Sequence, residues 1–244
     1  MNRISKCLRF QLKNMLKSTL WFLIIFCLAA YGLSLLTYIL SGGEQQTFRS
    51  GLSVGAAFYI FVYVISDYRT TFNYLMINGN TRTTIYISNI IANIILSVAM
   101  SILSYLSGFA DAFFTKALSG IIPGQISILQ FIYPGSVGVL ELPYLAALFI
   151  LITAFSKLYG VLNYKFGKYF VTIFWVGFGL AVISLPLSGS DSFLKIGTII
   201  EKYLWLGHPN GVLLAQASFI ITALVFGAAA YLISRRQPQT EPVS

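Results

Sequence analysis

The sequence predicts an all-α membrane protein. Its expected form is a bundle of six spanning helices, an N-terminal amphipathic helix at the membrane surface, a cytoplasmic helix between spans two and three, and a short outer helix before span six. Three observations lead there. First, 57% of the 244 residues are hydrophobic and only 9% are charged, with a mean hydropathy of +0.79. A soluble domain carries about 25% charged residues, so this chain has too little polar surface to cover a globule in water, and lipid is its expected solvent. Second, its apolar runs are long and do not alternate with polar residues as the strands of a membrane barrel would. Backbone groups in lipid must bond within their own segment, which leaves helices. Third, its cations collect on alternate connections.

The amphipathic element is residues 3–17, RISKCLRFQLKNMLK. At 100° per residue from Ile4, Leu8, Leu12, Met15 and Leu16 fall with Ile4 between about 0° and 120°, and the five cations between about 140° and 260°. Phe10 is the misfit, on the basic side. Two such faces fit a helix lying at the inner membrane surface. Residues 1–18 are therefore read as an interfacial helix, 19–234 as the membrane domain and 235–244 as a cytoplasmic tail.

The spans are read at 19–40, 52–65, 84–109, 143–155, 169–185 and 211–234. A spanning helix needs about 20 residues. The second and fourth reach it when extended to 48–66 and 139–158, which takes in Arg49 and Glu141 at their edges. Six spans put both ends on one side. With the N-terminus in the cytoplasm, the inner segments hold Arg3, Lys6, Arg9, Lys13, Lys17, Arg69, Arg82, Lys157, Lys165, Lys168, Arg235 and Arg236. The outer ones hold Arg49, Lys116, Lys195 and Lys202. That bias places both termini inside. The net charge of +9 is thus a topology signal and needs no nucleic-acid partner. The 21-residue apolar stretch after Lys17 exceeds a signal-peptide core, and no cleavage site of the A-x-A kind follows it.

The outer connections are not plain tails. Residues 110–138 carry Gly120, Pro123, Gly124, Pro134 and Gly135 between apolar pieces. Residues 191–206 read as the short outer helix, with Phe193, Ile196, Ile200, Tyr203 and Leu204 on one face and Asp191 as its cap. Pro186 and Pro209 mark its breaks.

Little chemistry is visible. There is no P-loop for a nucleotide. One His and two distant Cys, Cys7 and Cys27, make neither a metal site nor a disulfide framework. No cofactor is expected. Gly51 to Gly55, GLSVG, matches the G-x-S-x-G elbow, and Ser53 with His208 and Asp191 outlines a hydrolase triad. That elbow needs a strand-to-helix turn, whereas this one opens a span. The same residues are G-x-x-x-G, the spacing at which membrane helices touch, and Ala223 with Gly227 repeats it. Helix packing is the expected role of all four. Glu141 is the single acid within a span, at its edge, and the spans lack the buried ionisable groups that mark ion coupling.

The segment FNYLMINGNTRTT, 72–84, is the most informative. On a helix from Tyr68, the side chains of Tyr68, Phe72, Leu75 and Met76 share a face. Asn78, Gly79 and Asn80 stop that helix, because Gly and Asn accept the left-handed conformation at a helix end. The cation bias puts this element in the cytoplasm, where an aromatic-apolar face suits a partner's groove.

With its basic interfacial helix, its six spans and this segment, the chain resembles the permease subunits of bacterial type-2 ATP-binding-cassette exporters. The turn Asn78-Gly79-Asn80-Thr81-Arg82 is similar to one seen in many bacterial members. A second inner turn at 156–170 and the outer helix also fit. The resemblance implies a multi-pass subunit of the bacterial cell membrane that is not itself an enzyme. It pairs as a homo- or heterodimer with a second permease and draws on a separate ATPase subunit. Tyr68, Phe72, Leu75, Met76, Asn78, Gly79 and Arg82 would carry the ATPase coupling. The cargo it implies is a peptide, an antibiotic or an amphiphile. The alternatives are a membrane interaction, immunity or assembly protein without a transport cycle, and a membrane hydrolase using Ser53.

Overall fold

The computed structural model describes residues 3–40, 51–117, 128–133, 138, 140–187 and 190–235. Expectations that fall on 41–50, 118–127 and the tail from 236 lie outside these residues. The described residues form eight helices: α1 Arg3–Leu40, α2 Leu52–Ile77, α3 Arg82–Ala117, α4 Ile128–Ile132, α5 Glu141–Phe166, α6 Lys168–Leu187, α7 Ser190–Tyr203 and α8 Gly211–Arg235. No strand occurs among the described residues.

Four helices are long and apolar enough to cross a membrane: α1 over Arg3–Ala30, α3 over Arg82–Phe109, α5 and α8. The chain is a helical membrane protein. Its large exposed side chains agree, since α1 shows Trp21, Ile25 and Leu28, α6 shows Ile173, Val176 and Leu180, and α8 shows Ile221, Leu224 and Val225. Water would penalise such a surface and lipid tails do not. The apolar stretch of α6 described as Lys168–Leu180 is shorter, and α2 carries Asp67 and Arg69 within its length.

Two expected boundaries are absent. The interfacial helix and the first span are one uninterrupted helix, α1. No Gly or Pro stands between Arg3 and Tyr31 to break the ladder of hydrogen bonds. Likewise the expected cytoplasmic helix from Tyr68 is not separate from the second span: α2 runs through both. At 1.5 Å per residue its 26 residues reach about 39 Å, beyond the ~30 Å of a bilayer's hydrocarbon core. The outer helix is also shifted. α7 ends at Tyr203, with Trp205 (φ 54°) and Gly207 (φ 82°) turning the chain toward α8. Asp191 lies inside its first turn instead of capping it.

α5 is the hub, packed against α8, α2 and α3, while α1 lies on α3 and α2. Three apolar clusters stack along the bundle. One joins Cys7 of α1, Tyr68, Phe72 and Leu75 of α2, Ile85 and Tyr86 of α3, Val161 of α5 and Ala230 of α8. The middle one holds Met15, Ile60, Leu96, Met100, Leu145 and Phe149. The third joins Leu129, Tyr144, Val212 and Phe219. Small residues set the closest approaches. A Cβ on Gly160 would sit 3.2 Å from the Cβ of Tyr68, so α2 and α5 meet there, and a Cβ on Gly55 would sit 2.2 Å from the Phe26 ring.

Along α1, the buried side chains are Cys7, Gln11 and Met15, spaced i, i+4, i+8. The five basic residues of its first five turns face out. Leu16 is exposed, so the buried stripe is rotated from the apolar sector's centre by roughly 80°. The misfit Phe10 is explained: its ring stacks on Tyr74 at 4.6 Å.

Candidate functional site

The first candidate region is the turn between α2 and α3. Its backbone follows the sequence closely. Gly79, with φ 73°, donates to the Met76 carbonyl at 3.0 Å, and Asn80 donates to the Leu75 carbonyl at 3.2 Å. Those two bonds are the Schellman arrangement that satisfies the last carbonyls of a helix. Asn78 and Asn80 add side-chain bonds to the Tyr74 and Leu75 carbonyls, at 2.7 and 3.0 Å. Thr81 then caps α3, its Oγ1 accepting the Thr84 N–H at 3.2 Å. The result is a four-residue turn, Asn78 to Thr81, hydrogen-bonded to the ends of both helices.

The face expected to be open at this tip is closed. Phe72 is 6% exposed and Leu75 is 4% exposed, both inside the chain's own cluster, with Met76 packed half-buried against it. Tyr164 of α5 meets Phe72 edge-on at 5.5 Å, and Tyr68 donates to Ser234 Oγ at 3.4 Å. The stripe is apolar because α1, α3, α5 and α8 cover it. Arg82 is also engaged: its guanidinium donates to the Arg235 carbonyl at 3.2 Å, a cation at the C-terminus of α8. What the tip leaves open is Tyr74, Ile77 at 77% exposure, Asn78 and Gly79. Beside them runs a groove of about 550 Å³ that Arg3, Lys6 and Phe10 of α1 share with Tyr74, Asn78 and Asn80.

The four small residues fall in different settings. Gly51 begins α2 as its N-cap, and Gly55 receives the Phe26 ring. Ala223 and Gly227 instead line a groove between α3, α5 and α8. A Cβ on Gly227 would meet open space, and its carbonyl accepts the Tyr86 hydroxyl at 2.6 Å. Ser53 is buried, with its Oγ accepting the Ile128 N–H at 3.4 Å. His208 Nδ1 accepts the N–H of Asn210 at 3.2 Å, and Asp191's side chain lies outside the described set.

The second region is that groove, to which no sequence motif points. Its volume is about 380 Å³. Most of its wall is apolar: Ile90 and Ile94 of α3, Ile150 and Ala154 of α5, Ile220 and Leu224 of α8. Its polar side is built from Asn93 and Thr153, with Lys157 at one end. Asn93 belongs to a buried polar seam on α3, Asn89, Asn93, Ser97 and Ser101, at i, i+4 spacing. Ser97 donates to Thr153 Oγ1 across to α5 at 3.4 Å.

Lys157 corrects two expectations. It counts in sequence as an inner flanking cation, and the spans read as free of buried ionisable groups. The structure buries it to 3% exposure. α5 continues for nine residues past it to Phe166, so Lys157 is not at a helix end. Its Nζ lies 3.9 Å from the centre of the Tyr86 ring and 3.5 Å from the Tyr86 carbonyl oxygen. In sequence Lys157 stands near the end of the extended fourth span, 139–158, where a flanking and a buried lysine look alike.

No family model, curated protein or solved structure matches the chain.

Proposed function

We propose that this chain is the permease subunit of a type-2 ATP-binding-cassette exporter of the bacterial cell membrane. In this reading α2 and α6 join the four long apolar helices as spans. The chain crosses the bilayer six times with both termini in the cytoplasm, and pairs with a second permease. A separate ATPase subunit supplies the energy, and no residue of this chain hydrolyses ATP.

The observation that carries the reading is the α2–α3 tip. It is a short, hydrogen-bonded turn at the end of a helix that outreaches the hydrocarbon core, and that helix is packed against four others through Tyr68, Phe72 and Leu75. A push on the tip is therefore passed to α1, α3, α5 and α8 together. The cation distribution supports a cytoplasmic position for the tip. The ATPase contact is assigned to the open residues Tyr74, Ile77, Asn78 and Gly79, and Phe72 and Leu75 transmit motion from inside the chain.

Burial of Phe72 and Leu75 also favours a second reading, a membrane interaction or assembly protein without a transport cycle, because the apolar stripe has an occupant without any partner. One experiment separates the two. The tagged chain is purified from its native membrane in mild detergent and the eluate assayed for ATP hydrolysis. Copurification of an ATPase that is lost on Ile77→Asp supports the permease. An eluate without ATPase, from a chain that is folded and inserted, supports the second reading.

A further inference from the structure

The groove between α3, α5 and α8 combines three features. It is large enough for a ligand, since small-molecule sites occupy about 300–1,000 Å³. Its rim is open at the side, because Ile94 and Ile220 are exposed and Leu224 is 68% exposed; on an apolar bundle that rim faces lipid. And its inner end holds the buried Nζ of Lys157. A buried charge costs free energy unless it is paired and hydrogen-bonded. Lys157 has three donors. Among the described residues, Nζ meets one carbonyl at 3.5 Å, at the long limit of a hydrogen bond, and one aromatic face. The groove's other polar groups already have partners of their own. Asn93 Nδ2 donates to Asn89 Oδ1, Thr153 to the Ile150 carbonyl, and the Tyr86 hydroxyl to Gly227.

We infer that this groove binds an amphiphile with one acidic head and an apolar tail, the head pairing with Lys157 and the tail lying along the isoleucines and Leu224. The acidic head supplies a counter-charge that Lys157 does not find among the described residues. The apolar wall supplies a path by which the tail enters from the bilayer without crossing water. A fatty acid and an anionic phospholipid share this chemistry. The inference stands apart from the transport reading, because the groove would be occupied whether or not an ATPase is bound.

The test uses the full chain in neutral detergent, with binding read by native mass spectrometry. Oleate is set against oleyl alcohol, and phosphatidylglycerol against phosphatidylcholine of the same chains. The acidic member of at least one pair should be preferred by about tenfold or more, as befits a desolvated charge pair. Preference within the first pair identifies a free acid as the source, and within the second a membrane lipid. Lys157→Met should abolish the preference and Lys157→Arg should keep it. Leu224→Trp, at an exposed position, should block the groove while the charge stays in place, and it decides the matter if Lys157→Met does not fold. Equal binding of acidic and neutral members, a preference that survives Lys157→Met, or binding unaffected by Leu224→Trp would overturn the inference.

Discussion

At the scale of the residue, two positions show how local physics fixes the molecule. Gly79 sits at φ 73°, where a Cβ costs roughly 1–2 kcal/mol. Gly79→Val should therefore lower the unfolding midpoint in detergent, and Gly79→Asn should do so much less, because Asn tolerates this conformation. Equal effects would mean that the turn relaxes. Lys157 is the opposite case, a residue whose stability effect runs against its character. Replacing a buried polar or charged group that has few partners with an apolar side chain of similar length removes a desolvation cost. Lys157→Met should leave the ligand-free protein as stable as the wild type or more so, measured by thermal unfolding in neutral detergent. A marked loss of stability would show that the Tyr86 contacts alone satisfy the ammonium. The Gly79 turn was legible in sequence, since Asn-Gly-Asn-Thr names its own conformation. Lys157 was not. A cation near the end of an apolar run looks the same whether it flanks the span or lies within it, and only the nine further residues of α5 decide.

At the scale of the element, α2 separates what periodicity can tell from what it cannot. The pattern Tyr68, Phe72, Leu75 shows that one face of the helix is apolar. It carries no mark of what covers that face, and here α1, α3, α5 and α8 do. Phe72→Ala should accordingly destabilise the fold by about 3–5 kcal/mol, as large core truncations do, and reduce the folded yield. Ile77→Asp should leave unfolding unchanged and act on partners alone. Thermal unfolding of both variants checks this, and a fully stable Phe72→Ala would mean the cluster opens. α1 teaches a related point. Its amphipathic start and apolar continuation read as two elements because their compositions differ, but a helix ends where its hydrogen bonds are broken, and nothing from Arg3 to Tyr31 breaks them. The Phe10 misfit recorded a real contact, the stack on Tyr74, that a two-faced view of the helix had no place for.

At the scale of the whole molecule, the all-helical membrane class was legible from composition, because a chain with so few charges has no other solvent. The orientation proposed above rests on the cation bias. Single cysteines introduced on a background without Cys7 and Cys27 report it in intact cells: a membrane-impermeant thiol reagent should label residues 44 and 191 and spare residue 165. Labelling of residue 165 would invert the map and take the α2–α3 tip out of the cytoplasm. Sequence could not reveal the groove, which exists only where three helices converge, and each contributes to it residues that look like ordinary span.

The permease reading meets its most direct test at the tip itself. A photo-crosslinking residue placed at Ile77, in cells, should give an adduct with an ATP-binding subunit, and the same residue at Phe72 should crosslink only within the chain. An Ile77 adduct with lipid alone, in a protein that is inserted and folded, would contradict an ATPase docked on this turn.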